Sequence, residues 1–279
     1  MIRFLFAAAL SLLALPVWAE VKISEVTSPG GIKAWLVEEH GIPFTALEIR
    51  FRGGTSLDPA GKRGAVKLMV SLLEEGAGTL DSKGFAEARD DLAAQFSFDS
   101  GADTVAVSAQ FLTENRDKSV ALLKTALTDP AFDQASIDRV RGQILSIIAS
   151  RATSPDDIAQ ETASKITFGD HPYGSSDLGT ADTVKGLSRE DILAAKAATM
   201  ARDRVYVSAV GDITPEALGQ IIDTLLGDLP EKGAAFRPPP PRALRARRRS
   251  LISTRRNRRS CSGSRACGWK TLTIMRCSF

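Results

Sequence analysis

The sequence predicts an α+β domain in which helices cover one face of an antiparallel-rich sheet. Three observations indicate this class. Short segments with apolar residues at every second position, typical of strands with one buried face, open the body of the chain. Amphipathic helical segments follow, and strands that are close in sequence favour antiparallel pairing. The composition, with 43% hydrophobic and 25% charged residues, is that of a globular protein.

Six segments have the features of strands. In residues 45–51, large apolar side chains alternate with smaller or polar ones, which indicates a single buried face. A Pro-Gly-Gly turn separates the first two segments and Ser100-Gly101 separates the fourth and fifth, so both pairs are expected to be hairpins. The predicted strands are residues 21–27, 33–39, 45–51, 96–99, 104–111 and 205–210.

Helices are predicted where apolar residues recur three and four positions apart and a capping residue precedes them. Ser154-Pro155 and Thr214-Pro215 each place a proline in the first helical position, where its missing N–H costs nothing. Ser82 and Ser188 are the expected caps of two other helices. The predicted helices are residues 63–75, 82–94, 114–127, 133–151, 155–168, 188–200 and 214–226.

The first 19 residues have the three-part layout of a secretory signal peptide. Arg3 supplies a positive start, residues 4–16 are apolar apart from Ser11, and Ala19 ends a small-residue cleavage site before Glu20. The apolar run is shorter than the roughly 20 residues that span a bilayer. We therefore expect cleavage after Ala19, a periplasmic or secreted mature protein, and no stable membrane anchor once the signal is removed.

The C-terminal residues differ from the rest in composition. Residues 232–279 carry 14 of the 36 Lys and Arg residues and no Asp or Glu, which leaves 22 basic against 33 acidic residues in residues 1–231. All three cysteines lie there too, so the body cannot be a thiol enzyme, a Cys-ligated zinc protein or a disulfide-stapled scaffold. The predicted organisation is a signal peptide (1–19), a domain (20–230), a Pro-rich linker (231–242) and a basic disordered tail (243–279).

The basic tail has two interpretations. Residues 245–249 and 255–259 are rich in arginine and could bind an anionic surface; an exported protein meets little nucleic acid, so no nucleic-acid partner is expected. The abrupt change in composition also fits translation in a shifted reading frame, because residues 269–276 are compatible with codons that spell Glu-Asp-Pro-Asp-Tyr-Tyr-Ala in another frame. We expect a frameshift near residues 235–250 that replaced a second half with this tail.

Adjacent acidic residues occur at three places, Glu74-Glu75, Asp90-Asp91 and Asp156-Asp157. Neighbours on a helix point about 100° apart, since a turn takes about 3.6 residues. The pairs are therefore interpreted as solvent-exposed faces and not as acid/base dyads.

Four short stretches occur in an order that is more specific than any of them alone. They are residues 39–43 (EHGIP), 51–56 (FRGGTS), 64–79, and 169–174 (GDHPYG) with 187–191 after it. Together with the strand order they resemble the insulinase-like zinc peptidases, the family of pitrilysin and the mitochondrial processing peptidase. The likeness covers roughly residues 21–229 and implies the fold of the first half of such a subunit.

Active members of that family carry an H-x-x-E-H motif on the helix after the third strand, whose histidines bind zinc and whose Glu handles the proton of a metal-bound water. Aligning Gly64 and Gly76 with the family's flanking glycines places Lys67 and Ser71 at the histidine positions and Val70 at the glutamate position. A Lys ammonium has no lone pair for a metal, and Val accepts no proton. The chain therefore lacks the motif.

The other candidate ligands do not replace it. The resemblance places Ser146 and Ile147 where active relatives have a further Glu ligand on a later helix. His40 and His171 are the only histidines, lie in predicted loops, and are interpreted as loop or cap residues. Asp170 beside His171 does not indicate a triad, because no elbow serine accompanies it. We expect no catalytic residue, no metal ligand and no bound cofactor in this chain, where active relatives hold zinc.

The resemblance implies one leading hypothesis for function and leaves two alternatives. In many bacterial members a zinc-bearing subunit pairs with a similar subunit that lacks the motif. The leading hypothesis is a catalytically inactive, truncated homologue that serves as a structural partner of an exported, catalytic zinc peptidase subunit of the same family. The alternatives are a zinc-dependent endopeptidase of that family and binding to an anionic surface through the Arg-rich tail.

Overall fold

The computed structural model describes residues 22–238. The expected signal peptide, the end of the linker and the basic tail lie outside the described residues. The strands in chain order are β1 Ser24–Thr27, β2 Lys33–Glu38, β3 Phe44–Arg52, β4 Gly76–Ala77, β5 Leu80–Asp81, β6 Gln95–Ser100, β7 Thr104–Leu112 and β8 Val205–Gly211. All six predicted strands are present, while the short β4–β5 hairpin was not predicted.

Six strands form one sheet in the order β1-β2-β8-β3-β7-β6, and β4 and β5 form a separate two-stranded sheet. Both predicted hairpins, β1–β2 and β6–β7, are antiparallel as expected. Strand β8 lies between β2 and β3, parallel to the first and antiparallel to the second. A parallel neighbour needs a long connection, here nearly the whole helical part of the domain. The sheet is therefore antiparallel-rich, as predicted, with one parallel pair.

The helices are α1 Ala65–Leu72, α2 Ser82–Asp91, α3 Arg116–Thr128, α4 Gln134–Arg151, α5 Pro155–Phe168, α6 Ala181–Lys185, α7 Arg189–Thr199 and α8 Pro215–Leu226. The predicted caps Ser154, Ser188 and Thr214 each accept a bond from a backbone N–H in the first turn. Ser82 is not a cap, because the Asp81 carboxylate takes that role and Ser82 Oγ donates to Glu75. Within residues 22–238, no helix combines the length and hydropathy that a membrane span requires.

The two faces of the sheet differ in burial. On β3, Leu47, Ile49 and Phe51 point into the core, where they meet the buried side of the helices. On the opposite face, the open face from here on, Trp35 and Tyr206 are about half exposed and stack with ring centroids 6.4 Å apart. A groove of about 530 Å³ runs along this open face. The domain therefore has one fully packed sheet face and one that retains exposed aromatic surface.

Candidate functional site

The candidate site is built around α1, the helix that follows the third strand. Helix α1 packs against β6, α4 and α7. Gly64 is the N-cap residue before the first turn of α1; its φ of 96° lies in the left-handed region, and a Cβ there would lie 2.4 Å from the Leu178 carbonyl oxygen. Glycine is therefore required at this position. The helix starts two residues later than the sequence predicts because the chain turns at Gly64.

A buried carboxylate caps the start of α1. Asp58 accepts hydrogen bonds from the backbone N–H groups of Gly64 at 2.9 Å and Val66 at 3.0 Å. These amides have no partner within the helix, so a side-chain acceptor stabilises the helix end. Burial raises the pKa of Asp58 to about 6, and the two amide bonds offset that burial only in part. The N-terminus of α1 is thus held by a group outside the helix.

Arg63 connects this start to a distant loop. Its guanidinium donates to the Thr55 carbonyl oxygen, to Pro172 O at 3.0 Å and to Ser175 Oγ at 3.0 Å, and it lies 3.8 Å from Asp58. Burial lowers the pKa of Arg63. The stretches 51–56, 64–79 and 169–174, which are far apart in sequence, therefore meet at the N-terminus of α1.

The three motif positions lie on α1. Val70 is buried, whereas Lys67 and Ser71 are half-buried on the less enclosed side of the helix. Lys67 Nζ lies 3.3 Å from Asp99 Oδ1, which is on β6. This ion pair joins α1 to the edge strand of the sheet. The first motif position is thus occupied by the ammonium group of Lys67, which pairs with a carboxylate of the same chain.

The later helix that carries the remaining candidate positions is α4, which packs against α1. Ser146 and Ile147 are both exposed on it, Ile147 at 45%. Zinc in proteins is bound by thiolate, imidazole or carboxylate groups. None of these groups is present at positions 67, 70, 71, 146 and 147, so the residues of this chain do not fit zinc there. Throughout residues 22–238, no three His, Cys, Asp or Glu side chains are grouped as potential metal ligands.

The Glu74-Glu75 pair lies just beyond α1, and its interpretation as a solvent-exposed face is wrong. Burial raises the pKa of Glu74. Burial also acts on Glu75, but hydrogen bonds from Arg139 and Ser82 outweigh it, so the pKa of Glu75 is lowered. Arg139 Nη1 donates to Glu75 Oε1 at 3.0 Å, which ties the end of α1 to α4. Sequence spacing could not reveal this bond, because its partners lie 64 residues apart.

The two histidines lie in loop and cap positions, as predicted. His40 Nδ1 is 2.7 Å from Asp212 Oδ1, and this bond raises the pKa of His40. His171 precedes the short 3-10 turn Pro172–Gly174 and accepts a hydrogen bond from the Tyr173 N–H at 3.3 Å. Neither histidine belongs to α1 or α4, so neither supplies the missing donor set.

Comparison with known proteins is consistent with this geometry. The family described as "Insulinase (Peptidase family M16)" matches residues 34–181. The chain is 26% identical over 202 residues to "Non-peptidase homolog YmxG" of Helicobacter pylori, covering 72% of this chain and 46% of that protein. It is 24% identical over 184 residues to an "Uncharacterized zinc protease" of Rickettsia bellii, covering 66% and 45%.

The fold is also found in a solved structure. The crystal structure of a "peptidase M16 inactive domain" from Pseudomonas fluorescens matches with a TM-score of 0.73 at 23% identity, covering 77% of this chain and 53% of that one. At this identity the likeness concerns the fold. The chain spans about half the length of the relatives it matches.

Proposed function

The chain belongs to the insulinase family, peptidase family M16, and we propose that it is a catalytically inactive member that acts as a partner of a zinc-bearing peptidase subunit. The observation that carries the proposal is the chemistry at the motif positions. Lys67, Val70 and Ser71 offer neither a metal ligand set nor a carboxylate for a proton. The helix that would carry these groups is nevertheless present and well supported.

The names of two matching proteins support the proposal that this chain has no peptidase activity. The Helicobacter pylori relative is named a non-peptidase homologue, and the Pseudomonas fluorescens structure is described as an inactive domain. Members that keep this fold without peptidase activity therefore have precedent. A fold alone does not imply an activity, so the residues at the site decide.

The open face of the sheet supports a role in docking. Trp35, Tyr206 and Val210 expose large apolar surface beside the groove. Contiguous exposed apolar surface on a soluble domain is typical of an interaction site. We propose that a subunit of the same family, one that has both halves of the family fold, docks on this open face.

Docking is tested with the subunit that carries H-x-x-E-H, sought first in the neighbouring gene. Co-purified complexes are compared between the wild-type chain and Trp35→Asp, which places a charge on the open face. We expect Trp35→Asp to weaken the complex at least roughly tenfold, since a buried aromatic anchor contributes more than 1.4 kcal/mol. Ile42→Asp, in the exposed loop before β3, is the control and should bind as the wild type does. Equal binding by all three proteins would exclude this face.

Export through residues 1–19 is part of the same proposal. The mature protein should begin at Glu20 and be recovered from the periplasm or the medium. N-terminal sequencing of protein expressed from the complete gene measures this directly. Recovery of the intact N-terminus inside the cell would exclude export.

The inactivity itself is tested by metal binding and cleavage. The purified wild-type chain should bind no stoichiometric zinc in a calorimetric titration, and it should not cleave an unstructured peptide in a chelator-sensitive way. The matched variant Lys67→His/Val70→Glu/Ser71→His restores the motif, and Ile147→Glu or Ser146→Glu adds the later carboxylate. We expect one of these two variants to bind about one zinc ion per chain. Failure of both would show that the motif has been placed at the wrong positions of α1.

A zinc peptidase is the second candidate, favoured by the name of the Rickettsia bellii relative. A zinc peptidase would need metal ligands at positions other than 67, 70, 71, 146 and 147. Chelator-sensitive cleavage by the wild-type chain would establish it and overturn the inactive assignment.

A further inference from the structure

Residues 231–238, which we call the strap, follow α8 and lie along the domain. Their backbone is hydrogen-bonded to the end of α7 and to the short 3-10 turn Arg202–Arg204. The bonds are Asp203 N to Glu231 O at 3.1 Å, Ala234 N to Ala198 O at 2.9 Å and Gly233 N to Asp203 Oδ1 at 3.3 Å, and Arg202 N also bonds at 2.9 Å to O of Pro230, the residue before the strap. This continuous set of bonds is unusual for a linker that only has to span a distance.

The strap contains a position where only glycine fits. A Cβ on Gly233 would lie 2.5 Å from Arg204 Cζ and 2.6 Å from Ala198 O. Arg204 is itself buried, and its guanidinium is held by Asp203 and by Ala198 O at 3.2 Å. The strap backbone therefore closes over a preformed, buried cation.

An aromatic ring anchors the strap further along. The Phe236 ring is contacted by two guanidinium groups, with Arg52 Cζ and Arg204 Cζ each 4.6 Å from its ring centroid. Arg52 ends β3 and Arg204 precedes β8, so the ring contacts two adjacent strands of the sheet. A cation over the face of an aromatic ring is attracted to its negative π surface. Phe236 thus has a specific site despite being 45% exposed.

The last part of the strap reaches the support of α1. Arg237 Nη2 donates to the backbone oxygen of Asp58 at 2.8 Å, and His171 Nε2 lies 3.3 Å from Pro238 O. The neutral His171 tautomer with its proton on Nε2 satisfies this bond and the bond that its Nδ1 accepts from Tyr173. Arg237 therefore joins the strap to the backbone of Asp58, the residue whose carboxylate caps α1, and Pro238 lies next to His171.

We propose that the strap is a positioning device: it couples the segment that follows α8, residues 231–238, to the N-terminus of α1. Gly233 permits the close approach, Phe236 provides the anchor, and Arg237 joins the strap to the Asp58 cap. Residues 231–238 are thereby held in a defined place on the domain. This inference does not depend on whether the chain binds zinc or a partner.

Limited digestion of the full mature chain with trypsin tests the docking. The bond after Lys232 is the informative site, since the Pro238 that follows Arg237 protects the next bond. Cleavage of a transiently opened segment follows the population of the open form. We expect Phe236→Ala to raise the cleavage rate after Lys232 roughly tenfold, because both cation–π contacts are lost. Mass spectrometry separates this cut from cuts in the Arg-rich tail.

The control is Ile166→Ala, which removes an apolar side chain of nearly equal exposure, 44%, on α5. It should leave the cleavage rate after Lys232 unchanged. Rapid cleavage after Lys232 in the wild type, at the rate of the tail sites, would overturn the proposal. An identical rate in Phe236→Ala and the wild type would also overturn it.

Hydrogen exchange tests the coupling to α1. The Ala234 amide should be protected in the wild type and should lose protection in Phe236→Ala. Arg237→Ala, an exposed change that leaves the core intact, should raise exchange at the Val66 amide, which bonds to Asp58. If Val66 exchange is the same in Arg237→Ala and the wild type, the strap is docked but not coupled, and the proposal fails.

Discussion

Helix α1 has two regions that differ in how firmly they are held. Its buried side carries Leu68, Met69 and Leu72, all inaccessible to solvent, and its N-terminus is fixed by Asp58. The opposite region, which carries Lys67 and Ser71, is half-buried and makes one ion pair with the neighbouring strand. The helix is thus supported mainly from its buried side, which includes only one of the three motif positions, Val70.

This difference explains how the fold persists without the motif. The contacts that position α1 come from the core, from the Asp58 cap and from Arg63, which reaches the loop around Pro172. Residues 67 and 71 contribute little to that support. Their side chains can therefore change without loss of the helix, and a fold of this family does not by itself imply an activity.

The largest expected difference between the two regions of α1 is in the free energy of unfolding of the variants Leu68→Ala and Ser71→Ala. Leu68→Ala leaves a cavity in the core and should lower the free energy of unfolding by about 2–5 kcal/mol. Ser71→Ala on the other region should change it by no more than about 0.5 kcal/mol. Chemical denaturation of both variants measures the comparison. Similar losses in the two variants would contradict the contrast drawn between the regions.

Removal of the Asp58 cap should have the next largest effect. Asp58→Ala leaves the Gly64 and Val66 amides without their acceptor in a buried setting, and we expect a loss of about 1–3 kcal/mol. Asp58→Asn keeps one acceptor oxygen and should lose less. Thermal and chemical unfolding of the two variants test this order, and a more stable Asp58→Ala variant would refute it.

Because of Asp58, we also expect the free energy of unfolding to depend on pH. The pKa of Asp58 is raised to about 6 by burial, above the value of 3.8 for a free side chain, so folding favours its protonated form. The part of the stability that comes from protonation of Asp58 is complete below about pH 4 and is lost as the pH rises through about 6, whereas the ionised carboxylate still accepts the two amide bonds. The stability of the wild type relative to Asp58→Asn should therefore fall between pH 4 and 7. A difference that stays constant or rises over that range would show that the carboxylate is already ionised when the domain folds.

The smallest effect is expected for the ion pair at the first motif position. Lys67→Met removes a partly exposed contact with Asp99 and should change the free energy of unfolding by only about 0–1 kcal/mol. Asp99→Asn should have a similarly small effect, and a double-mutant cycle isolates the pair. A coupling well above 1 kcal/mol would mean that Lys67 has a structural role comparable to that of the core side.

Local features of the fold could be read from the sequence with little error. The six strands, both hairpins and three of the caps follow from alternation, turn residues and Ser or Thr before a helix. Ser82 was assigned wrongly because the residue before it, Asp81, offers a carboxylate to the same turn, and two adjacent acceptors cannot be ranked from sequence. Helix α6 was missed because five residues are too few for a helical period to be recognised.

The sequence by itself determined the strand and helix pattern and the absence of H-x-x-E-H, because periodicity, capping and side-chain chemistry are properties of short segments. Only the tertiary structure decided that β8 separates β2 from β3, that Arg63 joins the start of α1 to the loop at Pro172, and that Phe236 contacts Arg52 and Arg204. These arrangements depend on contacts between residues from about 30 to more than 170 positions apart, and such contacts leave no period in the sequence.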